Sequence, residues 1–398
     1  MTRLGYQIPN FTYPGVDSAG LFDVVAMQAQ AAERSGFDTV LLMDHFYQLP
    51  MLGDPDFNML ECYTTLGALA RETSKVRLGA LVTGNTYRNP AFLLKQAVTV
   101  DHISGGRVDF GVGAGWVERE HEAYGWDYPS ARARVDRFAE ALEIWELLQR
   151  QEWTTYRGRY YDIIDAPFAP KPLQSRMPML IGGSKPRMLA LSARYADIWN
   201  VVGLPEDAGE VNRQLDDACR AIGRNPASLV RSVSPRLNLL ASVEAFAEGV
   251  AAYHAAGFRH IYLPWPRTPA EVPVLREVAR DVLPGFRAHE PQGAAASLRR
   301  LTASDHDLLR AVLAADDNPV LRQVLAVLIA HPGERFDGAA LMARTGFATH
   351  AEITLALAGL AARLAEHGLA RPWSEAQQGW MVPGDQAEVL GSALGEIG

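Results

Sequence analysis

The chain has 398 residues, of which 48% are hydrophobic and 21% are charged, and its formal net charge at pH 7 is −8. This composition is typical of a core-forming globular chain and excludes disordered, collagen-like and coiled-coil proteins. No apolar run reaches the ~18 residues of a transmembrane helix, and the first residues lack an apolar signal segment. Cys62 and Cys219 stand alone, as in proteins of a reducing compartment. We therefore expect a cytoplasmic protein whose acidity disfavours nucleic acid and membranes as partners.

Short apolar segments alternate with amphipathic segments between residue 5 and about residue 287. Strands are predicted at 5–9, 39–43, 76–82, 108–112, 179–181, 198–202, 230–240 and 261–263. Helices are predicted at 21–35, 90–103, 132–148, 186–195, 207–222, 243–256 and 269–286. Most strands are aliphatic without alternation, as parallel strands covered on both faces are. Eight such units predict an α/β fold, a (β/α)8 TIM-like barrel, with a doubly wound sheet as the alternative.

The sequence changes character after residue 287. We predict a barrel domain at 1–288, a Pro/Gly/Ala linker at 289–301 and a small, mostly helical, winged-helix-like domain at 302–398, with its two-stranded wing at 369–382. The last domain has six arginines and no lysine against twelve acidic residues. A helix that reads DNA needs basic residues toward the phosphates. We therefore expect this domain to serve in packing, as a lid or in a homodimer.

The motifs of several hydrolase classes do not occur. There is no HxH or HExxH for a catalytic metal and no GxSxG nucleophile turn. We therefore expect no metal site, and chemistry from a bound organic cofactor.

The active sites of barrels lie at the C-terminal ends of the strands. The second strand ends at Asp44-His45, a pair suited to acid–base chemistry or, equally, to anchoring the following loop. After the third strand, Thr83 and Asn85 offer hydrogen-bond donors at the rim, although Thr83 could simply cap a turn. Two long segments, 45–59 and 152–172, interrupt the regular pattern and are expected to shape the pocket.

The next two strands end in glycine. Gly113-Ala114-Gly115 exposes backbone N–H groups that suit a phosphate or a ring carbonyl, which is a weak signal by itself. Gly182-Gly183-Ser184 leads into a helix with proline in its first turn, and Lys185 adds positive charge. This arrangement favours a phosphate site with Ser184 as the N-cap, and a merely structural turn is the alternative.

Six blocks, in order, resemble the bacterial luciferase-like monooxygenase superfamily, and within it the deazaflavin (coenzyme F-420)-dependent oxidoreductase branch. They are GFDTVLLMDHF (36–46), LGALVTGNTYRNP (78–90), ISGGRVDFGVGAGW (103–116), EHEAYG (120–125), MPMLIGGS (177–184) and YADIWN (195–200). The resemblance covers about residues 3–287. It implies a TIM-like barrel with a flavin or deazaflavin across its C-terminal mouth.

The resemblance also implies roles for individual residues. A bulge, in this family often with a non-prolyl cis peptide, would support the cofactor ring at Ala80-Leu81, and the glycine-rich segments 113–115 and 182–184 would contact the cofactor and its phosphate. His45 and Asp44 take the place of the family's proton-handling or substrate-facing pair. Leu49 and Trp116 stand where sugar-phosphate dehydrogenases of the family have tryptophan and glutamate, which favours an apolar or aromatic substrate. His121 and Tyr124 are secondary acid–base candidates at the mouth, with a role in packing around it as the equal alternative.

Three functions fit these observations. The first is hydride transfer between reduced coenzyme F-420 and a small, rather apolar organic substrate. The second is an FMN-dependent monooxygenase that uses oxygen and receives reduced FMN from a partner reductase. The third, which the acidic C-terminal domain disfavours, is a non-catalytic ligand sensor.

Overall fold

The computed structural model describes residues 2–264, 271–282, 301–315, 319–336, 338–346 and 379–395, with scattered positions between 353 and 376. The chain divides into two compact units. One contains Arg3–Arg236 and Tyr253–Arg267, and the other contains Leu237–Ala252 and the chain from Thr268 onward. The boundary at residue 288 that the sequence predicts lies outside the described residues.

Eight parallel strands close into a barrel in the first unit. They are β1 (Arg3–Ile8), β2 (Thr39–Leu42), β3 (Arg77–Ala80, continued by Thr83–Gly84), β4 (Val108–Gly113), β5 (Met179–Gly182), β6 (Ile198–Gly203), β7 (Val230–Pro235) and β8 (His260–Pro264). Each strand pairs with the next along the chain, and β8 pairs with β1 to close the sheet. The barrel predicted from the sequence is thereby confirmed, and the doubly wound alternative is wrong.

Helices follow the strands along the chain. They are α1 (Leu21–Arg34), α2 (Cys62–Glu72), α3 (Pro90–Ser104), α4 (Glu118–Tyr124), α5 (Ala131–Arg150), α6 (Pro186–Tyr195), α7 (Pro205–Ala221), α8 (Val243–Ala255) and α9 (Glu271–Glu277), which passes into a π-helical turn, Val278–Val282. Helix α3 shows why they form where they do: Asn89 caps its first turn, Pro90 opens it and Gly105 ends it at φ +72°. Two short helices, α2 and α4, were not predicted.

Polar and apolar residues do not alternate along the strands, because both faces of each strand are covered. All of Val40, Leu41 and Leu42 in β2 are fully buried, as expected for a parallel strand between the barrel interior and the helices. Close backbone approach explains two glycines: a Cβ on Gly79 would lie 2.4 Å from the Asp109 carbonyl oxygen, and one on Gly111 would lie 1.8 Å from that of Ala80. Both glycines are therefore structural.

Two predicted segments differ in the structure. The strand predicted at 230–240 ends at Pro235, because proline has no N–H to continue the pairing. The segment 152–172, predicted as a loop, contains an antiparallel hairpin of Trp153–Arg157 and Asp162–Pro167.

The second unit has its own apolar core. Its described helices after the barrel sequence are α10 (His306–Ala314), α11 (Pro319–Ala330), α12 (Gly338–Thr345) and α13 (Gly384–Gly395). Leu309, Leu325 and Leu390 are fully buried in one cluster. A strand pair, Ser374–Ala376 with Gly379–Met381, lies where the wing was predicted. Most of the linker at 289–301 and much of the helix at 350–367 lie outside the described residues, so the winged-helix assignment stays a prediction. Within the described residues, the helices are all too short or too polar to cross a membrane.

Candidate active site

A cavity of about 1380 Å³ lies at the C-terminal ends of the barrel strands. Its lining residues come from the C-terminal parts of the strands or from the segments that follow them, such as Gln7 in β1, Asn200 in β6 and Ser234 in β7. Parallel strands of a barrel all end at this mouth, so residues far apart in sequence meet there. The predicted segment 45–59 contributes His45, Leu49, Met51 and Leu52 to the lining, whereas none of the described residues of the 152–172 segment lines it.

His45 lines the cavity and is held from behind by a buried carboxylate. Its Nδ1 lies 3.0 Å from Oε2 of Glu120, whose side chain is fully buried. Burial raises the pKa of Glu120, but hydrogen bonds from His45, from the Tyr87 hydroxyl (2.6 Å) and from the Phe46 N–H (2.5 Å) outweigh it, and the net pKa lies below the ordinary value. The Nε2 atom of His45 remains for the cavity.

Asp44 is bound elsewhere. Both of its oxygens accept hydrogen bonds from the Arg88 guanidinium, at 2.6 and 2.9 Å, and Arg88 also donates to Glu61 at 2.6 Å. Asp44 and Arg88 are both buried, and Asp44 is not part of the cavity lining. The two roles considered for the pair therefore fall to different residues. Asp44 anchors the loop, and His45 faces the cavity. The structure does not place Asp44 for a direct role in proton transfer.

The end of β3 reaches the cavity through some of its predicted residues. Leu81 and Thr83 line it, and Thr83 Oγ1 lies 3.0 Å from the Tyr63 hydroxyl. Ala80 and Asn85 are buried outside the lining, and Asn85 donates to the Tyr161 hydroxyl at 3.1 Å. The peptide between Leu81 and Val82 is cis, one residue later than the expected position at Ala80-Leu81.

The glycine-rich ends of β4 and β5 both line the cavity. Gly113, Ala114 and Gly115 do so on β4, and Gly115 has a φ of +80°, with its hypothetical Cβ 2.5 Å from Thr86 Oγ1. After β5 the cavity is lined by Gly182, Gly183 and Ser184.

The turn after β5 is fixed by its neighbour β6. Gly183 has a φ of +142°, donates its N–H to the Asn200 carbonyl and accepts from the Trp199 indole at 2.8 Å. The N-cap of α6 is Lys185, one residue after the predicted Ser184, and within the described structure no side chain caps this helix. Because the first turn of a helix has N–H groups without intrahelical acceptors, this end of the cavity suits an anion.

Four cationic side chains line the cavity: Lys185 and Arg187 at this helix terminus, and Arg132 and Arg134 in the first turn of α5. Arg187 pairs with Asp136, and Arg134 donates to backbone carbonyls of Gly115 and Pro129. Arg132 and Lys185 have no ion-pair partner in the described part of the chain. No carboxylate occurs among the described lining residues. This end of the cavity is therefore positively charged.

The other end of the cavity is apolar. Met43, Leu49, Met51 and Leu52 line it from the segment after β2. Trp116 joins them, is 58% exposed and meets the His45 ring edge-on, with centroids 6.1 Å apart. On the barrel circumference β3 and β4 separate β2 from β5, so the apolar side chains after β2 and the cations after β5, Lys185 and Arg187, come from separate parts of the mouth. The His45 imidazole stands beside the apolar end.

A family model described as luciferase-like monooxygenase matches residues 2–349. The chain belongs to the luciferase-like family. It is an oxidoreductase or monooxygenase of that family, in keeping with the barrel and with the resemblance carried by the six sequence blocks.

Several relatives share part of the chain. An uncharacterised protein of Mycobacterium tuberculosis is 32% identical over 226 residues, 53% of this chain and 79% of the relative. An F420-dependent glucose-6-phosphate dehydrogenase of Segniliparus rotundus is 33% identical over 167 residues, 42% of this chain and 48% of the relative. The pyrimidine monooxygenase RutA of Bradyrhizobium sp. is 30% identical over 221 residues, 52% and 59% of the two chains.

Solved structures agree with the fold. An F420-dependent secondary alcohol dehydrogenase, in complex with an F420–acetone adduct, superimposes with a TM-score of 0.60 at 20% identity, covering 70% of this chain and 98% of that one. The monooxygenase RslO1 from Streptomyces bottropensis gives 0.58 at 20% identity, covering 71% and 99%. At these identities the likeness concerns the luciferase-like barrel alone.

The two secondary acid–base candidates, His121 and Tyr124, both make hydrogen bonds within this luciferase-like chain. His121 is buried, with Nδ1 2.6 Å from the Val117 carbonyl and Nε2 2.7 Å from Thr86 Oγ1. Tyr124 donates to the Phe46 carbonyl and stacks on Trp126. Neither residue lines the cavity.

Sequence reasoning missed Glu120, Arg132 and Arg134. A signal for Glu120 existed: with Val117 and Tyr124 it forms an i, i+3, i+7 set, which places it on one face of a helix directly after the glycine-rich strand. The arginines occur in an ordinary amphipathic helix, and no local pattern sets them apart. In the described residues, no group of three or more His, Cys, Asp or Glu side chains is placed to hold a metal ion.

Proposed function

We propose that this luciferase-like enzyme uses reduced coenzyme F420 to deliver hydride to a small, rather apolar organic substrate. The observation that carries this proposal is the set of four basic side chains in the cavity lining, two of which lie at an uncapped helix N-terminus. A relative and a structural neighbour that are F420-dependent dehydrogenases support the same choice.

The residues present fit a phosphorylated cofactor. A phosphate at the start of α6 would meet the free N–H groups of the first turn, the Ser184 hydroxyl and the positive end of the helix dipole. The turn before it is held in place by β6 through Gly183. Gly113, Ala114 and Gly115 would lie along the ring system, because they line the same cavity at the end of β4, the strand beside β5.

The number of cations favours F420 over FMN. FMN carries one terminal phosphate, whereas the phosphodiester of F420 continues into a tail with several carboxylates. The helix terminus and Ser184 suffice for one phosphate, but they leave Arg132 and Lys185, which have no ion-pair partner in the described part of the chain. Long, exposed cations beside the phosphate site are suited to an anionic tail that leaves the cavity.

Reduced F420, when bound, supplies a hydride from its ring. A carbonyl or imine that is reduced at carbon also needs a proton on its oxygen or nitrogen, and His45 lies at the cavity surface to give it. The buried Glu120 carboxylate balances the charge of the protonated imidazole. Leu49, Met51 and Trp116 would contact the substrate and exclude water around it.

The class of substrate follows from the charge and polarity of the cavity beside His45. Lys185 and Arg187 lie at the cofactor end and Arg134 binds backbone carbonyls, so few charges remain beside His45 to bind a sugar phosphate. Leu49 and Trp116, the two departures noted in the sequence, both line the apolar end. We therefore propose an apolar or aromatic carbonyl, imine or unsaturated compound rather than a polyanion.

Titration with three ligands tests the proposal. We expect F420 to bind at least about tenfold tighter than FMN and than the deazaflavin chromophore without phosphate and tail, a difference of about 1.4 kcal/mol or more. Lys185→Ala should weaken F420 several-fold, with a loss that shrinks at high salt. Arg194→Ala is the matched control, because Arg194 is an exposed cation on the same helix outside the cavity lining. Tighter binding of FMN would contradict the proposal.

An FMN-dependent monooxygenase supplied by a partner reductase is the second candidate. The uncapped terminus of α6 would also hold the single phosphate of FMN, and relatives named as monooxygenases support this possibility. Oxygen consumption coupled to product formation with reduced FMN would favour it. We also propose that the protein is cytoplasmic and forms a homodimer.

A further inference from the structure

The contacts of Glu120 assign the proton on the His45 ring. An ionised carboxylate can only accept hydrogen bonds, and the lowered pKa of Glu120 keeps it ionised at neutral pH. The 3.0 Å contact between His45 Nδ1 and Oε2 is therefore a hydrogen bond only if Nδ1 carries the proton. Neutral His45 then has a bare Nε2.

We propose that Glu120 is a positioning residue that holds His45 in the Nδ1–H tautomer, with Nε2 free to exchange a proton with the substrate. The catalytic use of that nitrogen rests on the proposed function. The tautomer itself does not, because it follows from contacts within the chain.

The surroundings of Glu120 are built to hold an ionised acceptor. Oε2 accepts from the Tyr87 hydroxyl at 2.6 Å as well as from His45, and Oε1 accepts from the Phe46 N–H at 2.5 Å. The pKa of Tyr87 is raised, chiefly by burial and also by Glu120, so its hydroxyl stays a donor. Three donors therefore converge on one buried carboxylate, which fixes its orientation.

If Glu120 served only to anchor the loop at Phe46, it would not need to carry a negative charge. Burial of an ionised carboxylate is costly, and a neutral amide could accept from the Phe46 N–H equally well. The charge matters for the imidazole: it requires a donor at Nδ1 and stabilises the ring when Nε2 takes a proton. The carboxylate therefore acts through His45, and in the described structure it does not line the cavity itself.

The test is the ¹⁵N spectrum of the His45 ring in the protein without cofactor, at alkaline pH, with the signal assigned by its loss in His45→Gln. We expect wild-type His45 to show a protonated Nδ1 and an unprotonated Nε2. In Glu120→Gln the amide can donate to Nδ1, so the Nε2–H form should rise to about half or more. A wild-type ring protonated at Nε2 would overturn the proposal without any variant.

Tyr87→Phe is the matched control, since it removes another donor from the same oxygen and leaves the His45–Glu120 contact. In Tyr87→Phe the His45 tautomer should stay that of the wild type. If Tyr87→Phe and Glu120→Gln raised the Nε2–H form equally, the assignment to Glu120 would be overturned. With F420 bound, Glu120→Gln should lower turnover about 10–100-fold and change cofactor affinity less than threefold. Failure of F420 to bind would contradict the proposed function and leave the tautomer result standing.

Discussion

Asp44→Asn separates the structural role of Asp44 from the catalytic one that its sequence position suggests. Asp44 provides two of the three carboxylate contacts of the buried Arg88 guanidinium, and Glu61 provides the third. Asparagine has nearly the same shape but only one acceptor and no charge. A hydrogen bond to a charged group contributes about 1.5–3 kcal/mol, and loss of one partner of a buried ion pair costs about 3–5 kcal/mol.

We expect a loss near the lower end of that range, about 3 kcal/mol, because Glu61 still neutralises Arg88. For a domain of this size the melting temperature should fall by roughly 6–12 °C. Thermal unfolding followed by circular dichroism measures this change. Asp217→Asn is the matched control: it removes an exposed ion pair with Arg220 on α7 and should leave the melting temperature unchanged.

The loop-anchor role of Asp44 would be refuted by an unchanged melting temperature. If the same variant lost turnover by about 100-fold or more at unchanged stability, Asp44 would act in proton transfer through a geometry that this structure does not show. Arg88→Met combined with Asp44→Asn should destabilise less than the sum of the two single changes, since both remove one interaction.

Three further predictions concern the cavity and its supports. Ser184→Asp should weaken cofactor binding at least about tenfold in a fluorescence titration, because it places a like charge at the phosphate site. His45→Ala should lower turnover ~10²–10⁴-fold with cofactor affinity changed less than roughly tenfold, and preserved turnover at saturating cofactor would argue against proton transfer by His45. Burial raises the pKa of Glu61, but hydrogen bonds from Thr64 and Arg88 bring it below its usual value. Its stabilisation is present above the unfolded pKa of about 4.3 and is lost below it, so acidification from about pH 5 should lower the melting temperature of the wild type more than that of Glu61→Gln.

Much of the barrel could be predicted because its signals are local. Helices α1, α3 and α5 to α8 begin and end within two residues of their predicted bounds, since proline, glycine and apolar spacing act over one or two turns. Helix α4 was missed because its seven residues, Glu118–Tyr124, are mostly charged and have almost no apolar stripe. The hairpin after α5 was missed because its segment is rich in aromatic and proline residues, which obscure the alternation of polar and apolar residues along its strands.

The candidate site was predicted in part for the same reason. Strand ends are local features, so His45, Thr83, Gly113 and Ser184 could be placed at the mouth from the (β/α)8 pattern. The choice between Asp44 and Glu120 as the partner of His45 could not be made in this way. Asp44 is adjacent in the chain, but successive residues after a strand point in different directions.

The amino-acid sequence by itself determined the fold class, the order of the eight strands, the mouth at which the site lies and the family to which the chain belongs. Each of these depends on periodicity and on short motifs, which are readable along the chain. Only the tertiary structure decided that Arg88 binds Asp44, that Glu120 holds His45, and that Arg132 and Lys185 line the same cavity. These pairs are separated by 44 to 75 residues and no motif links them, so barrel closure is what brings them to one place.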